Sequence, residues 1–528
     1  MATPHVSERP KVTVIGAGIG GLATALRLAA AGCAVTVLER HAAPGGKMRT
    51  VPSAAGPVDA GPTVLTMRHV FDDLFAAAGT RLEDHVSLIP QTILARHWWP
   101  DGGTLDLHAN PEASADAVRA FAGARAEAEF RAFSARAERL FAAFDAPMMR
   151  AAKPAPLALT GHVLRRPRLV PDMAPLSTLA QTLARQFSDP RLAQLFGRYA
   201  TYLGGSPYQS PAVLSLIWQA EAGGVWCVKG GMHALARAIA DLAVRLGASF
   251  HYNAHVERID IQNGAVRAVQ LEDGTALAAD HVVFNGDPRA LATAELGPDT
   301  APVAPQTRTD ARSYSAQVWS FAAKAEGPEL VHHNVFFSGT RQAEFDDLRA
   351  GRVPRDPTIY ICAEDRGQAE PPPGTERFEI ILNAPPLTTP DPKAEEFAPC
   401  LTRTFRTLDR FGLRFGPDPG PEALTTPAIF NRMFPASAGS LYGQSPHGMT
   451  AAFRRPTART AVRGLYLAGG GAHPGAGVPM ATLSGRHAAE AILSDLSSTS
   501  TFRQTATPGG MSTGSATTAP APFPSSGS

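Results

Sequence analysis

Residues 1–40 change hydrophobic period twice. Lys11–Ile15 is a short β-branched run, the pattern of a strand buried on both faces. Leu22, Ala25, Leu26 and Ala29 then recur at helical spacing, and Gly32 is placed to end that helix. Ala34–Leu38 reads as a second strand and closes on Glu39. Helical spacing returns over residues 111–144, again over 176–196, and after Met232, where Leu235, Ile239, Leu242 and Leu246 share one face and Gly247 ends it. Residues 250–259, 265–271 and 281–285 predict strands, with a turn at Asp273-Gly274. Between 311 and 384 strands follow one another without helices. Gln317–Phe321, Asn334–Phe337, Thr358–Ile361 and Phe378–Leu382 predict an antiparallel sheet that roofs a cavity, its aromatics packed as core. Gly464–Ala468 is one more buried strand, and a helix follows through Leu493.

The chemistry lies where strand gives way to helix. Gly16, Gly18 and Gly21 form a G-x-G-x-x-G loop between the first strand and first helix, and Glu39 ends the next strand. That order predicts a dinucleotide site: a tight turn at Gly16, close backbone approach to a pyrophosphate at Gly18, and close helix–strand packing at Gly21. Glu39 would accept hydrogen bonds from a ribose and repel a 2′-phosphate, which disfavours NADP. A second glycine-rich loop, Gly469 to Met480, precedes the last helix and supplies another positive helix end.

Composition narrows the reading. The 528 residues predict about two or three domains. A formal net charge of +2 gives no reason to expect a nucleic-acid partner. Cys33, Cys227, Cys362 and Cys400 form no C-x-x-C pair, so neither a metal site nor a disulfide framework is expected, and a reducing cytoplasm fits. Residues 1–10 lack the apolar core of a signal peptide, and no apolar run approaches the ~20 residues of a membrane span. Residues 146–175 are different in character. Met148, Met149, Leu157, Leu159, Val163, Leu164, Leu169 and Val170 alternate with Arg150, Lys153, Arg165, Arg166 and Arg168, broken by prolines. Such a stretch is either an ordinary surface insertion or an interfacial membrane contact. Residues 497–528 are Ser, Thr, Gly, Ala and Pro with one charged residue, Arg503, and are expected to stay unordered.

Glu39, then Pro44-Gly45-Gly46-Lys47, then Asp59-Ala60-Gly61-Pro62-Thr63 resemble the FAD-binding start of the amine oxidase and phytoene desaturase superfamily. The run Gly470 to Pro479, and Gly224-Val225-Trp226 followed by Gly230-Gly231, resemble the bacterial carotenoid desaturases of the phytoene desaturase type. Within them, Lys229 to Leu235 and Ala468 to Gly471 are most similar to the hydroxyneurosporene and methoxyneurosporene dehydrogenases, the 1-hydroxycarotenoid 3,4-desaturases. The resemblance implies a Rossmann-like α/β FAD-binding domain interleaved with an α+β substrate domain. FAD-binding parts would be 1–110, 223–290 and 456–496; 111–222 would be the helical substrate and membrane-contact part, and 291–455 the substrate sheet. FAD would meet Gly16, Gly18, Gly21, Glu39, Gly46, Lys47 (near the phosphates), Gly61 and Pro62 (beside the isoalloxazine), Val256 (at the adenine), Gly470, Gly477 and Met480. Hydride would pass from an allylic carbon to the flavin, with His473 the candidate proton acceptor and oxygen or a membrane quinone the final electron acceptor. The substrate would be an acyclic carotenoid drawn from a membrane on which the protein docks peripherally, its terminal oxygen met by a roof-strand side chain such as Gln317 or Tyr360. A multi-step phytoene desaturase, an amine oxidase and a flavin-free isoprenoid carrier related to the Rab escort proteins stand as alternatives.

Overall fold

The computed structural model describes residues 9–368, 374–389 and 396–505. Five parallel strands form one sheet in the order Leu465–Leu467, His281–Phe284, Lys11–Ile15, Ala34–Leu38, Ser249–His251. Strands so distant in sequence come together because four of them are mostly apolar and buried, with Ser249–His251 as an exposed edge, and the flanking helices cover the sheet. Ile19–Ala30, Met232–Arg245 and Val478–Thr505 pack around Leu22, Leu26, Leu235, Ile239, Ala488 and Ile492. The last helix therefore runs beyond Leu493 and takes in 497–505, the beginning of the stretch expected to be unordered; residues 506–528 lie outside the described residues.

Among the described residues the second sheet has eight strands. The predicted roof strands appear as Ser315–Glu326, His333–Phe336, Ile359–Ala363 and Glu376–Ala384, paired antiparallel. The sheet as a whole is mixed rather than antiparallel throughout, because Ile93–Trp98 joins His333–Phe336 in parallel and carries Thr104–His108 at its other edge. Trp319, Phe321, Phe336, Ile359, Phe378 and Ile380 pack together as core on this sheet.

Helical residues complete the wall. Pro111–Phe144 starts at Asn110, whose side chain accepts from Glu112 N and Ala113 N, with proline in its first turn. It packs with Leu179–Gln186 and Pro190–Gly197 around Phe130, Phe133, Phe187, Phe196 and Trp218. By contrast Pro156–Leu164, within 146–175, buries none of its residues fully. Among the described residues no helix is long and apolar enough to cross a membrane.

Candidate active site

Three glycine-bearing loops meet at the C-terminal ends of the parallel strands. Gly45 N donates to Ala17 O at 2.9 Å, and a Cβ on Gly46 would stand 3.1 Å from Gly18 Cα. A Cβ on Gly20 would come within 2.6 Å of Gly469 N, and one on Gly21 within 2.1 Å of Gly16 O. Gly16 and Gly469 both hold φ of +96°, which a side chain would strain. Asn285, just after the parallel strand His281–Phe284, donates to Gly16 O at 3.1 Å and Gly18 O at 3.3 Å. Arg455 is half-buried and grips the second loop, donating to Gly470 O at 2.6 Å and to the carbonyls of Tyr442 and Gln444. Burial lowers its pKa to about 10. Neither Asn285 nor Arg455 carries a sequence signal: each acts on a loop remote in the chain.

The loops border a cavity of about 1090 Å³. Of the residues expected at a cofactor, Gly16, Gly18, Glu39, Gly46, Lys47, Gly61, Pro62, Val256, Gly470 and Gly477 line it. Gly21 sits behind the wall, where its missing side chain lets helix and strand touch. Met480 does not line the cavity and packs instead near Met67, Val70 and Leu483. Glu39 accepts from Ala17 N at 2.7 Å and His41 N at 2.9 Å, one bond to each oxygen. A carboxylate has about four acceptor positions, so capacity for a ribose is left. Lys47 Nζ bonds Leu441 O at 2.5 Å and lies 5.4 Å from the Phe434 ring centroid. Burial, opposed by Asp287, brings its pKa down to about 8.

His473 departs most from expectation. It is buried, does not line the cavity, and its Nε2 meets Ala151 O at 2.8 Å while its ring stacks on His487. The loop turns this side chain toward the 145–151 stretch, away from the cavity.

Beyond the glycine loops the wall becomes a row of side chains across four sheet strands. Val318 pairs with Ile381, Ile381 with Tyr360, and Tyr360 with Val335, and all four line the cavity. Gln317 is one position out of phase. Its side chain points to the opposite face, where Arg403 donates to it at 3.2 Å, because neighbouring strand residues alternate sides. Tyr360 thus stays in the cavity and Gln317 leaves it. The Tyr360 hydroxyl stands 2.6 Å from Thr63 Oγ1 and 2.7 Å from His333 Nδ1. The run Lys229 to Leu235 ends at a helix whose Met232 and His233 N–H groups donate to Asp59, holding the Asp59–Thr63 segment against the cavity.

The family of flavin-containing amine oxidoreductases matches residues 19–366. The chain belongs to this family. It is 58% identical to the hydroxyneurosporene desaturase of Cereibacter sphaeroides over 93% of this chain and 99% of the relative, and 52% identical to that of Rhodobacter capsulatus over 92% and 98%. The fold is also that of cyclohexylamine oxidase from Brevibacterium oxydans, with a TM-score of 0.55 at 18% identity over 93% of this chain and 100% of the other. This member of the flavin-containing amine oxidoreductases is an FAD-dependent oxidoreductase of the carotenoid desaturase group. The cradle fits that cofactor: Gly16, Gly18, Gly46, Gly470 and Gly477 present backbone to the cavity, and Gly16 and Gly477 hold a positive φ that a side chain would strain.

Proposed function

We propose that this chain introduces the 3,4 double bond into acyclic 1-hydroxy or 1-methoxy carotenoids, as its relatives' name suggests. One observation carries the reading: a single cavity runs from the glycine cradle onto the aliphatic row Val318, Ile381 and Val335. Bound in the cradle, FAD supplies the oxidation, accepting a hydride from the substrate. The chain's own part is to bind, orient and keep dry. Gly16, Gly18 and Gly46 give backbone room for the pyrophosphate, Glu39 receives the ribose, and Gly61 and Pro62 carry the wall to the reacting end. The aliphatic row holds the polyene and excludes water, so that a carbon–hydrogen bond faces the cofactor in one geometry.

Apolar contacts discriminate chains differing by one methylene by only ~1–3 kcal/mol, whereas a site built to bond an oxygen rejects the deoxy analogue far more strongly. Tyr202 and Arg198, which line the same cavity, are the polar groups we assign to the terminal oxygen. The test presents 1-hydroxyneurosporene, neurosporene and phytoene at equal loading in liposomes. The hydroxylated carotenoid alone should gain one double bond, seen as a red-shifted polyene spectrum. Multi-step desaturation of phytoene would overturn the assignment.

A forty-carbon polyene gains about 0.8 kcal/mol per methylene on leaving water, so the substrate stays in a bilayer. We place the docking face at 146–175. Leu157 is 90% exposed, Leu164 72% and nearby Leu176 98%, beside exposed Arg165, Arg166 and Arg168. The next helix, Leu179–Gln186, brings Ala180 and Ala184 to the cavity wall. Each arginine contributes about 1 kcal/mol near anionic lipid. Replacing all three by Glu should reduce sedimentation with anionic liposomes and slow turnover on liposomal substrate; binding that salt and this triple change both leave untouched would remove the segment from the account.

A further inference from the structure

Loss of hydride alone leaves a cation on the polyene, and the double bond forms only when the neighbouring carbon gives up a proton. The histidine that the sequence offered for this task faces elsewhere, so the acceptor must be sought on the cavity wall. Among the four side chains of the row across the sheet, three are aliphatic and one, Tyr360, is polar. Its hydroxyl is the middle of a three-member chain, with Thr63 Oγ1 at 2.6 Å on the cavity side and His333 Nδ1 at 2.7 Å behind it. Strand register makes this contact. His333 lies opposite Cys362 and Val335 opposite Tyr360, so His333 and Tyr360 are diagonal neighbours on one face. Thr63 and Tyr360 line the cavity, whereas His333 is 2% exposed and its Nε2 has no hydrogen-bond partner among the described residues. Each member can donate and accept, which is what a proton-conducting chain needs.

We propose that Thr63, Tyr360 and His333 form a hydrogen-bonded wire that removes the proton released in desaturation. The inference rests on reading the chain as a carotenoid desaturase. One allylic carbon transfers a hydride, with its electron pair, to FAD, which is thereby reduced. At the adjacent carbon the C–H bond breaks heterolytically, its electron pair becomes the new π bond, and the proton passes to Thr63 Oγ1. The Thr63 proton moves to the Tyr360 oxygen and the Tyr360 proton to His333 Nδ1, so one proton is lost at carbon and one gained at imidazole. Burial, reinforced by His332 and Arg198, holds the pKa of His333 well below its usual value, which keeps the ring neutral and able to accept. A weak base suffices, because a proton next to a carbocation is strongly acidic. His333 does not line the cavity; it acts through Tyr360 and is a positioning and relay residue.

The test is anaerobic flavin reduction and steady-state turnover with 1-hydroxyneurosporene in liposomes, comparing wild type with Thr63→Val, Tyr360→Phe and Thr63→Ser. Thr63→Val and Tyr360→Phe each remove a hydroxyl at nearly constant volume and should keep flavin loading and KM. Both should lower kcat about 100-fold, the usual scale of a lost proton-transfer group. Thr63→Ser, which restores a hydroxyl, should recover most of the rate, and the solvent deuterium effect of wild type should vanish in Tyr360→Phe. Should one variant lose its flavin, the other decides alone, since they lie on separate elements. Flavin-loaded variants within about threefold of wild-type kcat would overturn the wire, as would a loss confined to KM, which marks substrate recognition. A flavin-loaded wild type that leaves the carotenoid unchanged would instead overturn the desaturase reading itself.

Discussion

The two ends of the cavity are built from different material. The cofactor end is backbone: Gly16, Gly18, Gly20, Gly46 and Gly469 bring loops together by having no side chains. The substrate end is side chain, a row of Val318, Ile381, Tyr360 and Val335 presented by strand register. A backbone cradle tolerates almost no addition. A side-chain wall tolerates changes of shape and loses selectivity first. Substitutions at the two ends should therefore fail in different ways.

The largest effect is expected within the cradle, and it divides two glycines of one motif. Gly21→Val drives a Cβ to 2.1 Å from the Gly16 carbonyl oxygen, against backbone that cannot withdraw. This variant should fail to yield folded protein, by circular dichroism and thermal melting. Gly18→Val meets only the Asn285 amide at 3.0 Å and sits at φ −68°, where valine is at ease. It should fold, melt cooperatively and bind no flavin. A Gly18→Val protein that keeps its yellow flavin would show that the pyrophosphate does not lie over this turn.

Next in size is a change at the other end. Ile381→Trp fills the tunnel without touching the glycine loops. It should retain full flavin loading while turnover on carotenoid falls about 100-fold, because a displaced polyene misses the reacting geometry. Loss of flavin here would mean that the two ends are not separable.

The smallest effect concerns the polar layer behind Thr63. Glu364 is buried beside Asp59, facing Arg377 at 3.4 Å, and accepts from Asp59 N at 2.7 Å. Burial, then the Asp59 carboxylate, raises its pKa, and Arg377 opposes the rise. A carboxyl raised in the folded state binds more protons folded than unfolded once the pH exceeds the ordinary value of ~4.3. Its contribution is thus complete at low pH and declines as the pH climbs toward the raised folded value. Glu364→Gln should gain in melting temperature over wild type on going from pH 5 to pH 8. An unchanged difference across that range would place Glu364 in an ordinary carboxylate environment.

The same contrast governs what could be read from the amino-acid order. Gly16, Gly18 and Gly21 were legible because a loop between one strand and one helix is local, and its spacing is the geometry. The parallel sheet and the roof strands were legible from period and β-branching. Asn285 and Arg455 were not, since each grips a loop contributed by a remote part of the sequence. Nor was the pair of His333 and Tyr360, which depends on the register between two strands. Nothing in the residue order turns Gln317 away from the cavity, because a strand reads equally well with either face inward until its partners are fixed. The orientation of His473 is equally hidden, because the loop's glycines fix where the backbone turns and not where one ring points. Ile93–Trp98 was drawn into the larger sheet by a parallel pairing that no local pattern announces.

The proposed reaction requires one cavity to bring carotenoid and flavin into contact. Its most direct test is an anaerobic single turnover: flavin-loaded protein mixed with liposomal 1-hydroxyneurosporene, followed at flavin and polyene wavelengths together. The flavin absorbance should bleach as the polyene band shifts to the red, one new double bond for each flavin reduced. A flavin that stays oxidised beside bound hydroxylated carotenoid would contradict it.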